Sequence, residues 1–286
     1  MKMDNVLKRT VNYLLIILVS IVWIFPTAWM VSLSFKPYEE WYGSNFIPNK
    51  FTLTNYQALF YPEEIFKTVM GRTALVASII NPLINSAIIV TVATFLAVVI
   101  GFITVYGAIR YKTMGVFSLF FTLMTRMLPP ATFLAPIMVY YAFLHLLDTQ
   151  LGLILLYSTV TVTYAIWLLK GFIEQIPPEW EEAAILEGAS NWQVLRRVTI
   201  PLAKGGLVVS FFFIFIFNWT EFLFALVLTD VNAVTLTVQV GKYVGSIGQL
   251  FGIQAALGIL SSIPPVVMGY IIQRHLATGL TFGKVR

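Results

Sequence analysis

The segment EEAAILEGASNWQVLRRVTIPLAKGG, from Glu181 to Gly206, is a polar stretch between two long apolar ones. It carries three acids, two arginines and a lysine, in a chain in which only 11% of the residues are charged. Pro177 and Pro178 come just before it and stop the preceding helix, because proline cannot continue a helix. Gly188 suits the left-handed conformation that ends a short helix. The segment therefore predicts two short helices joined by a sharp turn.

The second of these helices is predicted to begin at Ser190. Gln193 follows three residues later, which is the spacing of a capping box, where each side chain bonds the other residue's backbone N–H. Arg196 and Arg197 fall in the last turn, where the helix dipole favours cations. Pro201 is expected to end the helix. Together the two helices form a helix–turn–helix unit, called the elbow below.

The elbow has two interpretations on these features alone. It can lie as an amphipathic unit on the lipid headgroups, or it can dock onto another protein. The acids of its first helix disfavour anionic lipid, which would repel them. Ala183 and Ala184 leave a low-relief face that a partner protein can approach closely.

The composition indicates a membrane protein. Apolar residues make up 58% of the 286 residues, and the mean hydropathy is +0.84, whereas soluble domains have about 45–50% apolar residues. A span needs about 20 apolar residues. Six segments qualify: Val11–Phe35, Asn81–Ile109, Met114–Leu147, Leu151–Leu169, Gly206–Thr229 and Leu250–Ile272. Pro129, Pro130 and Pro136 bend the third, and the first is too long for the apolar core of a secretory signal.

Basic residues set the predicted orientation, because cytoplasmic loops carry an excess of Lys and Arg. With the N-terminus inside, 12 of the 18 Lys and Arg lie in inner segments and five in outer ones. The sequence therefore predicts an all-α, polytopic membrane protein with six transmembrane helices and both termini cytoplasmic. Residues 1–286 are expected to form one transmembrane domain, with a cytoplasmic loop at about 171–204 between helices four and five.

Several kinds of chemistry are excluded or disfavoured. The chain has no cysteine, which excludes disulfides and thiol catalysis. It has no G-x-x-x-x-G-K-[ST] phosphate loop and no H-E-x-x-H or G-x-S-x-G motif, so neither nucleotide hydrolysis nor membrane-embedded hydrolase chemistry is expected. His145 and His275 lie on opposite sides of the predicted membrane, so no metal site is expected. The net charge of +5 reflects basic cytoplasmic loops, and no nucleic acid is expected as a partner.

The elbow resembles the EAA loop of ABC-importer permeases. That signature reads E-A-A, three residues, G, nine residues and I-x-L-P, and this chain matches it at Glu182, Ala183, Ala184, Gly188 and Pro201. Val198 and Ile200 replace the usual Ile and Leu. The segments FTLTNYQALF, MLPPATFLAPI, LLDTQLGLIL, TYAIWLLKGFIEQIP, NWTEFLFALVLT and GLTFGKVR are similar to the MalG-type permeases of carbohydrate importers.

The resemblance implies a function and a set of partners. The elbow is then the coupling helix, which docks on a separate ATPase; Glu182 meets a basic or polar group there, and Gly188 makes the turn. Expected partners are a second permease, two ATPase subunits with ATP and Mg, an extracytoplasmic sugar-binding protein, the sugar substrate and the lipid bilayer. The chain itself is expected to hold no cofactor and not to be an enzyme. Its expected location is the prokaryotic plasma (inner) membrane.

Two charged residues fall within predicted spans, where charge is costly and usually faces protein or water. Arg126 and Glu221 lie roughly 21 and 25 Å from the inner edges of their spans, at about 1.5 Å per residue. They can form a buried ion pair between the third and fifth spans. Alternatively, they line a sugar path together with Asn218, one turn before Glu221, and Trp219, since hydroxyl-rich ligands suit polar partners and aromatic faces.

Two other transport functions stay open. An ABC permease for a non-sugar solute, such as glycerol phosphate or a polyamine, fits the same elbow. An ion-driven secondary transporter is a different class, and it would show several intramembrane acids or inverted repeats. The sequence has neither, which favours the ABC importer.

Overall fold

The computed structural model describes residues 2–70, 77–245 and 248–281, and the side chains of a few residues within these ranges, Arg126 among them, lie outside the description. The helices are α1 Lys2–Ser34, α2 Thr54–Phe60, α3 Pro62–Met70, α4 Ile80–Arg110, α5 Val116–Met124, α6 Ala131–Phe143, α7 Gln150–Glu174, α8 Pro178–Leu186, α9 Asn191–Val194, α10 Ile200–Trp219, α11 Leu223–Leu228, α12 Leu236–Lys242 and α13 Phe251–Thr281. Short 3-10 helices lie at Tyr38–Glu40 and Thr125–Met127, and a π turn at Leu195–Thr199. Two-residue strands β1 Val244–Gly245 and β2 Gly248–Gln249 pair antiparallel. The predicted all-α class is confirmed.

Five helices within the described residues are long and apolar enough to cross a membrane: Arg9–Ser34, Ile80–Arg110, Gln150–Glu174, Asn191–Trp219 and Phe251–Gln273. They correspond to the first, second, fourth, fifth and sixth predicted spans. The ends differ from the prediction by one to five residues, except in the fifth span, which begins 15 residues earlier and ends ten residues earlier than predicted. The chain is a multi-pass membrane protein. The predicted cytoplasmic location of both termini stays a prediction, and the last five residues of the GLTFGKVR tail lie outside the described ranges.

The third predicted span, Met114–Leu147, departs from a straight helix at its prolines as expected, but it is broken there into separate helices. It consists of α5, a 3-10 turn and the shorter apolar helix α6. Leu128 adopts an extended conformation, with φ −75° and ψ 131°, because the ring of the following proline disfavours the helical region. Pro129 and Pro130 therefore interrupt the helix, whereas Pro136 is accommodated inside α6.

The chain divides into two compact units, and the expected single permease domain stays a prediction. The smaller unit consists of Met1–Ile80 and Gln239–Ile263. In it, the Asn55 side chain donates to the backbone carbonyls of Ser34 and Lys36 over 2.9 and 2.8 Å, which fixes the end of α1 against α2. The buried Lys36 ammonium donates to the Asn45 carbonyl and lies 4.6 Å from the centre of the Trp29 ring.

The larger unit consists of Asn81–Val238 and Pro264–Arg286, and it contains the elbow. Its helices approach closely at small residues. A Cβ added to Gly101 of α4 would lie 2.5 Å from the Cβ of Ala165 of α7, and one added to Gly206 of α10 would lie 2.4 Å from the Phe172 ring. Glycine is therefore required at both crossings, and α4, α7 and α10 form a tightly packed support for the elbow.

Candidate functional site

The first helix of the elbow, α8, ends as the sequence predicted. Gly188 has φ 89°, in the left-handed region that glycine adopts without strain. Its N–H donates to the carbonyl of Ile185 over 2.9 Å, and the N–H of Ala189 donates to the carbonyl of Ala184 over 3.0 Å. This pair of bonds is a Schellman motif, which satisfies carbonyls that the helix end leaves without partners. The turn geometry is thus fixed by backbone bonds and by the absence of a side chain at 188.

The second helix of the elbow, α9, begins with the predicted capping box. The backbone N–H of Ser190 donates to Oε1 of Gln193 over 2.8 Å, and the N–H of Gln193 donates to Oγ of Ser190 over 3.4 Å. Both interactions satisfy backbone donors that lack partners inside the helix. The helix–turn–helix elbow is therefore present, with both of its inner ends capped.

The prediction that Pro201 ends the second helix is wrong. The chain runs as a helix from Asn191 to Trp219, through the π turn at Leu195–Thr199. In this turn the N–H of Ile200 donates to the carbonyl of Leu195, five residues earlier. The widened turn lies immediately before Pro201, whose ring would clash with the carbonyl four residues back in a regular helix. The elbow is consequently continuous with the fifth span.

The residues that match the EAA signature face outward. Glu182, Ala183, Gly188 and Pro201 are exposed, and Ala184 is half-buried. Large apolar side chains on the same elbow are exposed too: Leu186 at 89%, Trp192 at 66% and Trp180 at 61%. A surface cavity of about 380 Å³ lies at the turn and is lined by Ala184, Glu187, Gly188, Ala189, Gln193, Val194, Arg197 and Val198. The elbow thus presents a mixed apolar and charged surface around a concave turn.

Glu181 is the residue of the elbow that sequence reasoning missed. It is 5% exposed, and its Oε2 accepts a hydrogen bond from Nε of Arg110 over 2.8 Å. Its Oε1 accepts one from the Thr199 hydroxyl over 2.7 Å. The same guanidinium donates through Nη2 to the carbonyl of Ile176 over 2.8 Å. Arg110 is 71 positions away in the sequence, so no local pattern distinguishes Glu181 from its neighbouring acids.

The fifth predicted span, Gly206–Thr229, is wrong as one continuous helix. Helix α10 ends at Trp219, and α11 begins at Leu223. Glu221 lies in the break. Its carboxylate accepts hydrogen bonds from the backbone N–H groups of Phe224, over 2.8 Å, and Ala225, over 3.2 Å. These are donors that the start of a helix leaves unsatisfied, so Glu221 caps α11.

Glu221 also binds the neighbouring helix α7. The hydroxyl of Tyr157, a fully buried residue, donates to Oε2 of Glu221 over 2.6 Å. The carbonyl of Glu221 accepts from the hydroxyl of Thr237 over 2.7 Å. The proposed partner Arg126 has its backbone in the 3-10 helix Thr125–Met127, but its side chain lies outside the described residues. The Arg126–Glu221 ion pair therefore stays a prediction.

The other two predicted path residues are buried at the end of α10. The Asn218 amide donates to the hydroxyl of Thr94 of α4 over 3.1 Å. The Trp219 ring stacks on Phe215, with centroids 5.5 Å apart and an interplanar angle of 17°. Because α10 ends at Trp219, Asn218 and Glu221 do not share one helical face as the sequence suggested.

A second acidic anchor lies in the loop between α6 and α7. Asp148 has φ 54° and accepts hydrogen bonds from four consecutive backbone N–H groups, of residues 230–233, over 2.9–3.3 Å. Partial burial raises the pKa of this carboxyl, but the donors from Ala233, Asn232, Asp230 and Val231 outweigh it and lower the pKa to about 2. Asp148 thus fixes the segment that follows α11.

Comparison with known proteins places these features in context. Residues 97–281 match the family model described as "Binding-protein-dependent transport system inner membrane component". The chain is 34% identical to the trehalose transport system permease protein SugB of Mycobacterium tuberculosis over 267 residues, which cover 92% of each chain. It is 29% identical to the trehalose/maltose transport system permease protein MalG of Thermococcus litoralis, with 99% of each chain covered.

A solved structure has the same fold. The crystal structure of a bacterial ABC transporter involved in the import of the acidic polysaccharide alginate contains a chain that superposes with a TM-score of 0.65. The sequences are 21% identical, and the match covers 95% of this chain and 97% of that one.

Proposed function

The chain belongs to the family of binding-protein-dependent transport system inner membrane components, and we propose that it is the permease subunit of an ABC importer that moves a sugar or oligosaccharide into the cell. The family description, a binding-protein-dependent transport system, supports the class of transporter. The sugar is proposed because relatives that match over nearly their whole length are named for trehalose and maltose transport. The alternative substrate is a non-sugar solute such as glycerol phosphate or a polyamine.

The elbow is proposed as the coupling element that docks on the ATPase. The observation that carries this proposal is the exposure of its apolar and charged side chains together. Leu186 is 89% exposed and Trp192 is 66% exposed, and Glu182 is exposed beside them. An exposed apolar patch with a polar rim is typical of a protein interaction site. A partner that covers the turn would bury these side chains and contact Glu182, Ala183 and Ala184. Gly188 and Pro201 would determine the shape of the elbow.

The full importer is proposed to contain further subunits. ATP and Mg would bind on two ATPase subunits, so this chain would not hydrolyse ATP itself. A second permease would pair with this chain. The most apolar part of the span Arg9–Ser34 has no residue buried within this chain, so the surface of that helix is left for a partner or for lipid. An extracytoplasmic binding protein would deliver the sugar to the outer loops.

The break between α10 and α11 is the proposed position of the sugar path. Asn218, Trp219, Glu221 and Arg126 stay the candidates for its polar wall. The contacts of Glu221 with α7 and α11, and of Asn218 with α4, support a role in shaping that wall.

Affinity capture tests the proposed assembly. The tagged chain is expressed in its native host and extracted gently in detergent, and bound proteins are identified by mass spectrometry. We expect an ATPase, a second permease and an extracytoplasmic binding protein, and the binding protein is then screened against sugars, glycerol phosphate and polyamines. A chain recovered without any ATPase would contradict the proposal.

A further inference from the structure

The buried pair of Arg110 and Glu181 lies at the junction of the elbow with two membrane helices. Arg110 is the last residue of α4, and Glu181 lies in the first turn of α8. Their side chains are only 13% and 7% exposed. A buried guanidinium and carboxylate need each other, because either charge left alone in a poorly solvated site is strongly unfavourable. The pair is therefore a fixed contact and not a transient surface ion pair.

The two side chains join more elements than the pair itself. Arg110 also donates to the carbonyl of Ile176, just beyond the end of α7. Glu181 also accepts from Thr199, which is fully buried in the π turn that leads into α10. One guanidinium and one carboxylate thus connect both arms of the elbow with the ends of α4 and α7.

The helices that meet at this junction are closely packed. A side chain at Gly101 would overlap Ala165, and one at Gly206 would overlap Phe172. Such interfaces repack between discrete arrangements and do not deform continuously. A displacement of the elbow is therefore transmitted to α10 along the chain. It is transmitted to α4 and α7 through the Arg110–Glu181 contact.

We propose that Arg110 and Glu181 are positioning residues of the coupling elbow, which fix it to α4 and α7 so that the ATPase moves these helices and the elbow as one body. This inference rests on the proposed function. It assigns Glu181 a role distinct from that of Glu182, because Glu181 has no surface left for a partner whereas Glu182 is exposed. Loss of the pair should uncouple ATP hydrolysis from transport without releasing the ATPase.

The test uses the purified importer complex with Glu181→Gln and Arg110→Gln as separate variants. Glu181→Gln keeps the side-chain volume and an acceptor for Thr199 but removes the charge. We expect equal recovery of the ATPase subunit and a fall of about tenfold in substrate-stimulated uptake, within the range typical of coupling between sites. Glu174→Gln is the matched control, because it removes the exposed ion pair with Lys170 at the end of α7 and should leave uptake unchanged.

A distance measurement provides a second test that does not depend on uptake. The chain has no cysteine, so spin labels can be attached at Glu179→Cys in α8 and Tyr111→Cys beside the end of α4, both exposed positions. We expect the same elbow-to-α4 distance in the nucleotide-free and ATP-bound complexes, and a broader distribution when Glu181→Gln is added.

The outcomes separate this inference from the proposed function. Three results would each overturn the inference and leave the importer assignment intact. They are wild-type uptake by Glu181→Gln, loss of ATPase recovery in that variant, and an elbow-to-α4 distance that changes with nucleotide. Failure of the unmodified chain to bind any ATPase would refute the proposed function and the inference with it.

Discussion

Glu181 and Glu182 are adjacent in the sequence but lie in opposite environments. The Glu181 carboxylate is buried between Arg110 and Thr199, whereas Glu182 is exposed on the outer face of the elbow. Successive residues of a helix point about 100° apart, so one acid can hold the elbow to its own chain while the next meets a partner. The two residues are therefore expected to give different phenotypes.

Glu182→Lys should weaken binding of the ATPase subunit while the chain stays folded. Reversal of a charge that pairs across an interface costs roughly 2 kcal/mol or more, about thirtyfold in affinity. Recovery of the ATPase during affinity purification measures the effect. Glu174→Lys carries the same change of charge on an exposed residue outside the elbow and serves as the control. Equal recovery with Glu182→Lys and with wild type would remove this residue from the interface.

Gly188→Ala should strain the turn of the elbow. No neighbouring atom lies within 4 Å of the added Cβ, so the effect comes only from φ 89°, which costs an alanine about 1 kcal/mol. Denaturant unfolding in detergent measures the stability, and proteoliposome uptake measures the coupling. Gly205→Ala also meets no neighbour, but it lies inside α10, and it should be neutral or stabilising by about 0.5–1 kcal/mol. Equal effects of the two substitutions would show that the left-handed turn is unimportant.

Glu221 should act mainly by holding α11 and α7 together. Tyr157→Phe and Glu221→Gln should each lower the free energy of unfolding by about 1–2 kcal/mol, because each weakens the hydrogen bond between the buried Tyr157 hydroxyl and the charged Glu221 carboxylate. A double-mutant cycle should give a coupling of about 1 kcal/mol. We expect the KM for the sugar to stay unchanged in both single variants. A raised KM with unchanged stability for Glu221→Gln would instead place this carboxylate in direct contact with the sugar.

The Asp148 carboxylate should stabilise the fold in a pH-dependent way. Its pKa is lowered from 3.8 to about 2, so it binds its proton less readily in the folded chain than in the unfolded one. The stabilisation, about 1 kcal/mol because solvent screens this partly exposed carboxylate, is then fully present above pH ~4 and is lost as the pH falls towards ~2. Unfolding of wild type and Asp148→Asn in detergent should differ at pH ~6 and converge near pH ~2. A difference that does not change with pH would contradict this assignment.

Local patterns predicted the turn between the two helices of the elbow well. Gly188 and the Ser190–Gln193 capping box form hydrogen bonds only with residues close by in the sequence. Local backbone geometry is therefore enough to predict where these helices end and begin. The continuity through Pro201 was not predictable, because a π turn widens the helix by a single residue and leaves no compositional trace. The break at Glu221 was not predictable either, because the apolar pattern continues on both sides of it. In the sequence, Glu221 indicates only a charge within a span, and nothing marks it as the cap of a new helix.

Long-range contacts account for the remaining differences. Glu181 finds Arg110, and Asp148 finds the residues after α11, across 71 and more than 80 positions. Nothing near either acid in the sequence marks it as an anchor. The contacts of the Glu221 carboxylate with Tyr157 and with the start of α11 are also distant from any local pattern, and the predicted Arg126–Glu221 pair stays a prediction.

Uptake by reconstituted liposomes tests the central claim most directly. The complex recovered with this chain is placed in liposomes together with its binding protein and labelled sugar, with ATP supplied on the ATPase side. We predict uptake that requires ATP and the ATPase, persists when ion gradients are collapsed, and is lost with Glu182→Lys. Uptake by this chain alone, independent of ATP and abolished when an ion gradient collapses, would contradict the account and identify a secondary transporter.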